Sequence, residues 1–179
     1  MRQIRLLIIV TLVSCTTSVR HGDNVTADEQ KNDFETFVNL FNTRLTKIPD
    51  SYVKEFLQVD TIQFDTKNVW TYEVIKFSNE ITGLVYKANC TAGGLCEKLT
   101  LVTFDKLGKR ITEFEVGHNY ADYGSSSELT YSFNQGRLEL KLNESEVLEA
   151  DDGTDKEQVT VDTTFVYRVN VTTGQISKD

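Results

Sequence analysis

From about residue 69 to the C-terminus, apolar and polar residues alternate in short runs separated by glycine-bearing turns. The only proline, Pro49, stands outside all of them. No other feature restricts the fold as much. Alternation of period two requires strands with one covered and one wet face, and connectors of a few residues require neighbouring strands to run antiparallel. The predicted strands are Val69 to Phe77, Gly83 to Ala88, Lys98 to Phe104, Arg110 to Val116, Glu128 to Phe133, Arg137 to Leu142 and Gln158 to Val171. Thr100, Val102 and Phe104 share one face, and Leu138, Leu140 and Leu142 make an apolar row against Glu139 and Lys141. Asp105-Lys-Leu-Gly108, Asn134-Gln-Gly136 and Thr172-Thr-Gly174 carry hairpin-turn chemistry.

A meander of this kind needs a cover for its apolar face. Phe34, Phe37, Val38, Phe41 and Leu45 recur at spacings of three and four, which lays one stripe along a helix over 28–46. Asp28, Glu29, Asp33 and Glu35 near its start and Arg44 and Lys47 near its end suit the helix dipole. Pro49, with Ile48 before it biased away from helical geometry, marks a helix-to-strand boundary. The expected fold is α+β and mainly β, an N-terminal helix packed on a curved antiparallel β meander.

The N-terminus points to a compartment. Arg2 and Arg5 precede an apolar run from Leu6 to Val13, and Leu12-Val13-Ser14-Cys15 is similar to a lipobox. We therefore expect residues 1–14 to be a lipoprotein signal peptide, Cys15 to carry lipid, residues 15–30 to be a flexible tether, and residues 31–179 to form a single domain. An ordinary cleaved secretory signal is the alternative. Cysteine parity favours lipid: of Cys15, Cys90 and Cys96, assigning the first to lipid leaves two that can pair. The apolar run is well short of the roughly 20 residues that cross a bilayer as a helix. The expected membrane contact is thus an anchor, in a bacterial cell envelope.

Charge excludes some partners. Removing residues 1–14 takes out two arginines and no acid, so the formal charge goes from −8 to −10. An acidic surface repels the phosphate backbone of nucleic acid and offers no polybasic patch for anionic lipid headgroups.

Chemistry-bearing residues are few. Cys90-Thr-Ala-Gly-Gly-Leu-Cys96 spans the open end of a predicted hairpin, where a structural disulfide is expected in an oxidising compartment. The spacing is too wide for a CxxC redox pair, and no further ligands accompany it for metal. The two histidines are His21 in the tether and His118 after a strand, read as a loop residue. Gly124-Ser-Ser-Ser127 lacks the Gly-x-Ser-x-Gly pattern of a nucleophile elbow and reads as loop. Glu144, Glu146, Glu149, Asp151, Asp152, Asp155 and Glu157 have the wrong spacing for an EF-hand, and Asp151-Asp-Gly-Thr-Asp155 reads as a solvated turn between the last two long strands; no metal or cofactor is expected. Trp70, Tyr120 and Tyr123 are the candidate ligand-binding residues, because aromatic faces beside polar groups hold sugars. Asn24-Val-Thr, Asn89-Cys-Thr, Asn143-Glu-Ser and Asn170-Val-Thr fit the N-glycosylation pattern, which matters only in a eukaryotic source.

Lys98-Leu-Thr-Leu-Val-Thr-Phe-Asp-Lys-Leu-Gly-Lys-Arg-Ile111, continuing to Gly117, and Phe165-Val-Tyr-Arg-Val-Asn170 with its glycine turn resemble strand-turn-strand elements of small uncharacterised lipoproteins of the Bacteroidota. The likeness covers residues 98–117 and 165–174, with the same layout of lipobox, tether and Phe-rich helix. It implies a lipid-anchored envelope location and a β fold, and it transfers no catalytic residue. Related surface-displayed lipoproteins often carry acids directly after the lipidated cysteine. Thr16-Thr-Ser-Val-Arg-His21 departs from that, which favours the periplasmic face. The functional expectation is a non-enzymatic module that binds or scaffolds an envelope component. A glycan-binding module is the alternative, and a hydrolase using paired carboxylates ranks third.

Overall fold

The computed structural model of the chain describes residues 27–59, 64–90, 95–122, 124–149 and 156–179. The expected signal peptide, Cys15 and most of the expected tether lie outside the described residues, as does Tyr123. Helix α1 is Ala27–Leu40, so it takes in the last residues of the expected tether. A short helix α2, Asp50–Tyr52, runs directly into a π-helical turn, Val53–Leu57. Eight strands follow: β1 Phe64–Lys76, β2 Ile81–Cys90, β3 Leu95–Asp105, β4 Arg110–Asp122, β5 Ser125–Asn134, β6 Arg137–Glu149, β7 Lys156–Val169 and β8 Ile176–Lys178. They form one antiparallel sheet in sequence order, the expected meander.

Helix α1 ends at Leu40 and not near residue 46, because pairing with the sheet wins over the continuing apolar period. Leu45 N–H donates to Thr71 O, Thr71 N–H to Thr46 O and Ile48 N–H to Val69 O, so residues 45–48 run along the edge of β1. The Thr71 hydroxyl adds a bond to Thr43 O and accepts the Thr46 N–H. Leu45 takes a left-handed φ of 59° to make this turn and is left exposed. Pro49 opens α2 and does not start a strand. It has no N–H to lose at a helix start, and its carbonyl accepts the Val53 N–H. The α2 segment then buries Val53, Phe56 and Leu57.

Two apolar cores result, one on each side of the first strands. The first lies under the helices and joins Phe34 and Phe37 of α1, and Phe41 directly after it, to Phe56, Leu84, Val102 and Phe104. Phe37 stacks on Phe56 at 4.8 Å between ring centroids. The second joins Ile75, Val85, Leu101 and Val116 of β1–β4 to Leu138 and Leu140 of β6. The sheet curls until its two halves meet, with Phe77 against Phe133 at 4.9 Å and Phe114 against Tyr167 at 4.7 Å. The lower end is tied by the β7–β8 turn: the buried Thr103 hydroxyl donates to Gly174 O and the Ser78 hydroxyl to Val171 O. At the β3–β4 turn Gly108 has φ of 80°, and a Cβ there would lie 2.6 Å from Phe34 Cγ, so this hairpin and the helix fit only through glycine.

Candidate functional site

The opposite end of the sheet is open. There β4 and β5 pair over residues 118–122 and 125–129, next to the turn that joins them, and they separate toward the covered end. β6 and β7 stay paired up to Glu149 and Lys156, beyond the covered cores. Directly opposed residues in an antiparallel pair lie on the same face, so the register generates transverse rows. One row is Tyr120, Ser127, Glu144, Val161; the next is Asp122, Ser125, Glu146, Val159. These rows line a cleft of about 490 Å³. Its surface is hydroxyl and carboxylate around one aromatic ring, with Val159 and Val161 as an exposed apolar shelf.

His118 stands beside this cleft in a hydrogen-bonded chain. Its Nδ1 lies 2.6 Å from Glu115 Oε1 and its Nε2 lies 2.9 Å from Ser127 Oγ. Residues three apart on a regular strand face opposite ways. Here β4 carries a bulge: Thr100 faces Glu115, Leu99 faces Gly117 and Lys98 faces His118. The extra residue brings Glu115 and His118 onto the face that Lys98 and Thr100 share. Gly117 is tightly surrounded at the bend: a Cβ would lie 3.0 Å from Leu99 Cδ1 and 3.1 Å from Leu129 O, so any side chain there would press on both.

Electrostatics fix the direction of the chain. Burial alone would raise the Glu115 pKa. Hydrogen bonds and charge from Lys98, 2.9 Å away, and from His118 outweigh it and hold the carboxyl below its ordinary value. In the neutral form of the ring, an ionised Glu115 accepts a hydrogen bond from Nδ1–H, which leaves the Nε2 lone pair facing the Ser127 hydroxyl. Tyr120 stacks on the imidazole at 4.4 Å and 14° between planes, and covers it. Burial, and secondarily the charge of Glu115, raise the Tyr120 pKa, so its phenol stays neutral in the cleft. The arrangement can orient a hydroxyl and accept its proton. It has no backbone oxyanion hole at Ser127, whose neighbours in the ladder are Tyr120 on one side and Glu144 on the other.

The expected site residues fall in different places. Tyr120 lines the cleft, whereas Trp70 sits half-buried on β1, bridged to Lys47, and does not line it. Tyr123 lies outside the described residues. Asn89 faces Glu97 across β2 and β3, and this register sets Cys90 opposite Cys96. The loop between them and the Cys90 side chain are outside the described residues. Glu144 and Glu146 belong to the cleft rows; Asp151, Asp152 and Asp155 are not described. Among the described residues, no three His, Cys, Asp or Glu side chains gather as metal ligands.

His118 was expected in a loop, and it lies within β4. Gly124-Ser-Ser-Ser127 was likewise expected as loop, and Ser125–Ser127 instead open β5, held by pairing with β4 and β6. Neither the bulge that brings Glu115 to His118 nor the register that brings Ser127 there is visible in residue spacing.

Other clefts hold less. Along the helix, Arg110 pairs with Glu113 and bonds Gln58, an exposed ion pair. Near β1, Arg44 lies 3.9 Å over the Tyr72 ring, and the Tyr131 hydroxyl donates to Glu73 at 2.5 Å. Burial and that carboxylate raise the Tyr131 pKa far above its ordinary value. Comparison with protein-family models, with curated proteins and with solved structures finds no match.

Proposed function

We propose that this chain is a lipid-anchored protein of a bacterial envelope, held through Cys15 and facing the periplasm, which binds an envelope component in the cleft above β4–β7. The cleft carries the reading. Nowhere else among the described clefts do an aromatic ring, several hydroxyls, carboxylates and an exposed apolar shelf converge in one place. No helix among the described residues is long and apolar enough to cross a membrane. A Cys90–Cys96 bridge closes the end of the β2–β3 hairpin. What supports it is the facing register, and Cys96 does not stand as a free thiol.

The glycan-binding alternative draws on Tyr120 in particular. A ring beside Ser125, Ser127, Asp122 and Glu144 offers an apolar face together with acceptors for sugar hydroxyls. Trp70 takes no part in that reading.

Cross-linking of the full chain in intact envelopes tests the proposal, with Cys15→Ala and Glu144→Lys as variants. A partner recovered from wild type and lost from both variants supports an anchored, cleft-borne interaction. The same partner recovered from Glu144→Lys removes the cleft, and recovery from Cys15→Ala removes the anchor. Binding of an envelope polysaccharide that Tyr120→Ala abolishes selects the glycan reading.

A further inference from the structure

We propose that Ser127 is a nucleophile, activated by His118 as general base and held in register by Glu115, and that the cleft accepts small neutral carboxylic esters. This rests on the cleft being the ligand site and goes beyond binding. Three observations combine. Ser127 Oγ, His118 and Glu115 are joined by contacts of 2.9 and 2.6 Å, which is hydrogen-bond reach for proton transfer. The serine that ends this chain lines an open cleft, so an electrophile can reach it. The imidazole is mostly buried, with 12% of its side chain exposed, and is packed under Tyr120, which limits its rotation.

The cleft sets the substrate class. Asp122, Glu144 and Glu146 surround the serine row and disfavour anionic esters, while Val159 and Val161 offer apolar surface for a short acyl group. The hydroxyls and carboxylates can hold a polyhydroxylated alcohol portion.

In the first step Ser127 Oγ bonds to the acyl carbon as its proton passes to His118 Nε2. The bond from that carbon to the alkoxy oxygen then breaks, and the leaving alkoxide takes the proton from Nε2. Water next attacks the acyl-serine, gives a proton to Nε2, and Ser127 is regenerated with that proton. The net reaction is ester plus water to carboxylic acid plus alcohol. Glu115 touches no substrate; it is a positioning residue that sets which nitrogen faces Ser127. Without backbone donors for the oxyanion, the acceleration stays near the roughly 10²–10⁴-fold that a positioned general base supplies.

The test uses the full chain with a fluorophosphonate probe and with 4-nitrophenyl acetate, reading the labelled residue by peptide mapping. Ser126 and Ser127 are adjacent on one strand and both line the cleft, while Ser127 has the contact with His118 Nε2, so they act as an internal control. We expect labelling at Ser127 at least about 100-fold faster than at Ser126, and a His118→Gln variant slowed by at least about 100-fold. The rate rises with pH, because only neutral imidazole accepts the hydroxyl proton. The groups facing the ring are Glu115, Lys98 beyond it, and Tyr120. Glu115→Gln alters this pH profile and Glu115→Asp partly restores it, which a residue serving only to hold the fold would not do. Equal labelling of Ser126 and Ser127 in the wild type overturns the proposal even if the His118 variant fails to fold. That failure leaves the cross-linking result standing, because envelope partners are read without any probe reacting at Ser127.

Discussion

Under α1, strands β1–β3 meet an aromatic cluster of Phe34, Phe37, Phe41, Phe56 and Phe104, whereas around the β4–β5 pairing strands β4–β7 carry serines, carboxylates and exposed valines. The first end buries its surface and is closed by hydrogen bonds from the β7–β8 turn; the second leaves transverse rows uncovered. One meander thus separates two tasks between its first and its later strands. Apolar burial at the covered end supplies stability, and strands kept rigid by that core can hold polar groups in fixed register at the other.

The largest expected effect tests the covered end. Phe37 is fully buried and stacked on Phe56, so Phe37→Ala destabilises the fold by about 3–5 kcal/mol through lost burial and a cavity. Chemical denaturation measures this; a midpoint near wild type would mean that the helix is not integral to the fold. Next is Gly108→Ala, where a left-handed backbone and contact with Phe34 both penalise a Cβ, at about 1–3 kcal/mol. Its effect falls on the helix-covered end, and the cleft residues keep their register while the protein is folded.

Glu115→Gln gives a smaller effect that shows itself as a pH dependence. The folded-state pKa of Glu115 lies below its ordinary value of 4.5, so its contribution to stability is complete above that value and is lost as pH falls through the depressed folded value. The variant's urea midpoint therefore declines less steeply than wild type's in this acid range, and the two curves run parallel above it. Identical acid limbs would show that Lys98 and His118 do not hold the carboxylate. At the bottom of the scale, exposed Val161→Ser changes stability by no more than about 0.5 kcal/mol, since it removes little buried area. A larger loss would show that the open end also carries part of the core.

The covered end was largely legible in the sequence and the open end was not. Phe34, Phe37 and Phe41 announce a helix face by their spacing, and Leu138 and Leu140 announce a strand face by theirs, because local period dictates which side chains share a side. Leu45 misled, since a helix can be ended by an edge pairing with Thr71 that no local pattern contains. Pro49 was legible as a boundary, and its lack of an N–H suits a strand edge and a helix start equally well. For the cleft, Tyr120 could be picked as an aromatic among polar residues. Its joining to Ser127 depends on the β4–β5 register, and the joining of Glu115 to His118 depends on a bulge. Both are tertiary facts, decided by how strands pair.

The most direct test of the difference between the ends is the protonation pattern of the His118 ring, read from long-range ¹H–¹⁵N spectra of the full chain near neutral pH. The sequence has only two histidines, His21 and His118, so one His21→Gln variant assigns the signals. The neutral form of the ring is expected to carry its proton on Nδ1, shifted downfield by its bond to Glu115, with an unprotonated Nε2 facing Ser127. A ring protonated on Nε2 alone, or one averaging between tautomers as in free imidazole, would contradict a primed hydroxyl at the open end.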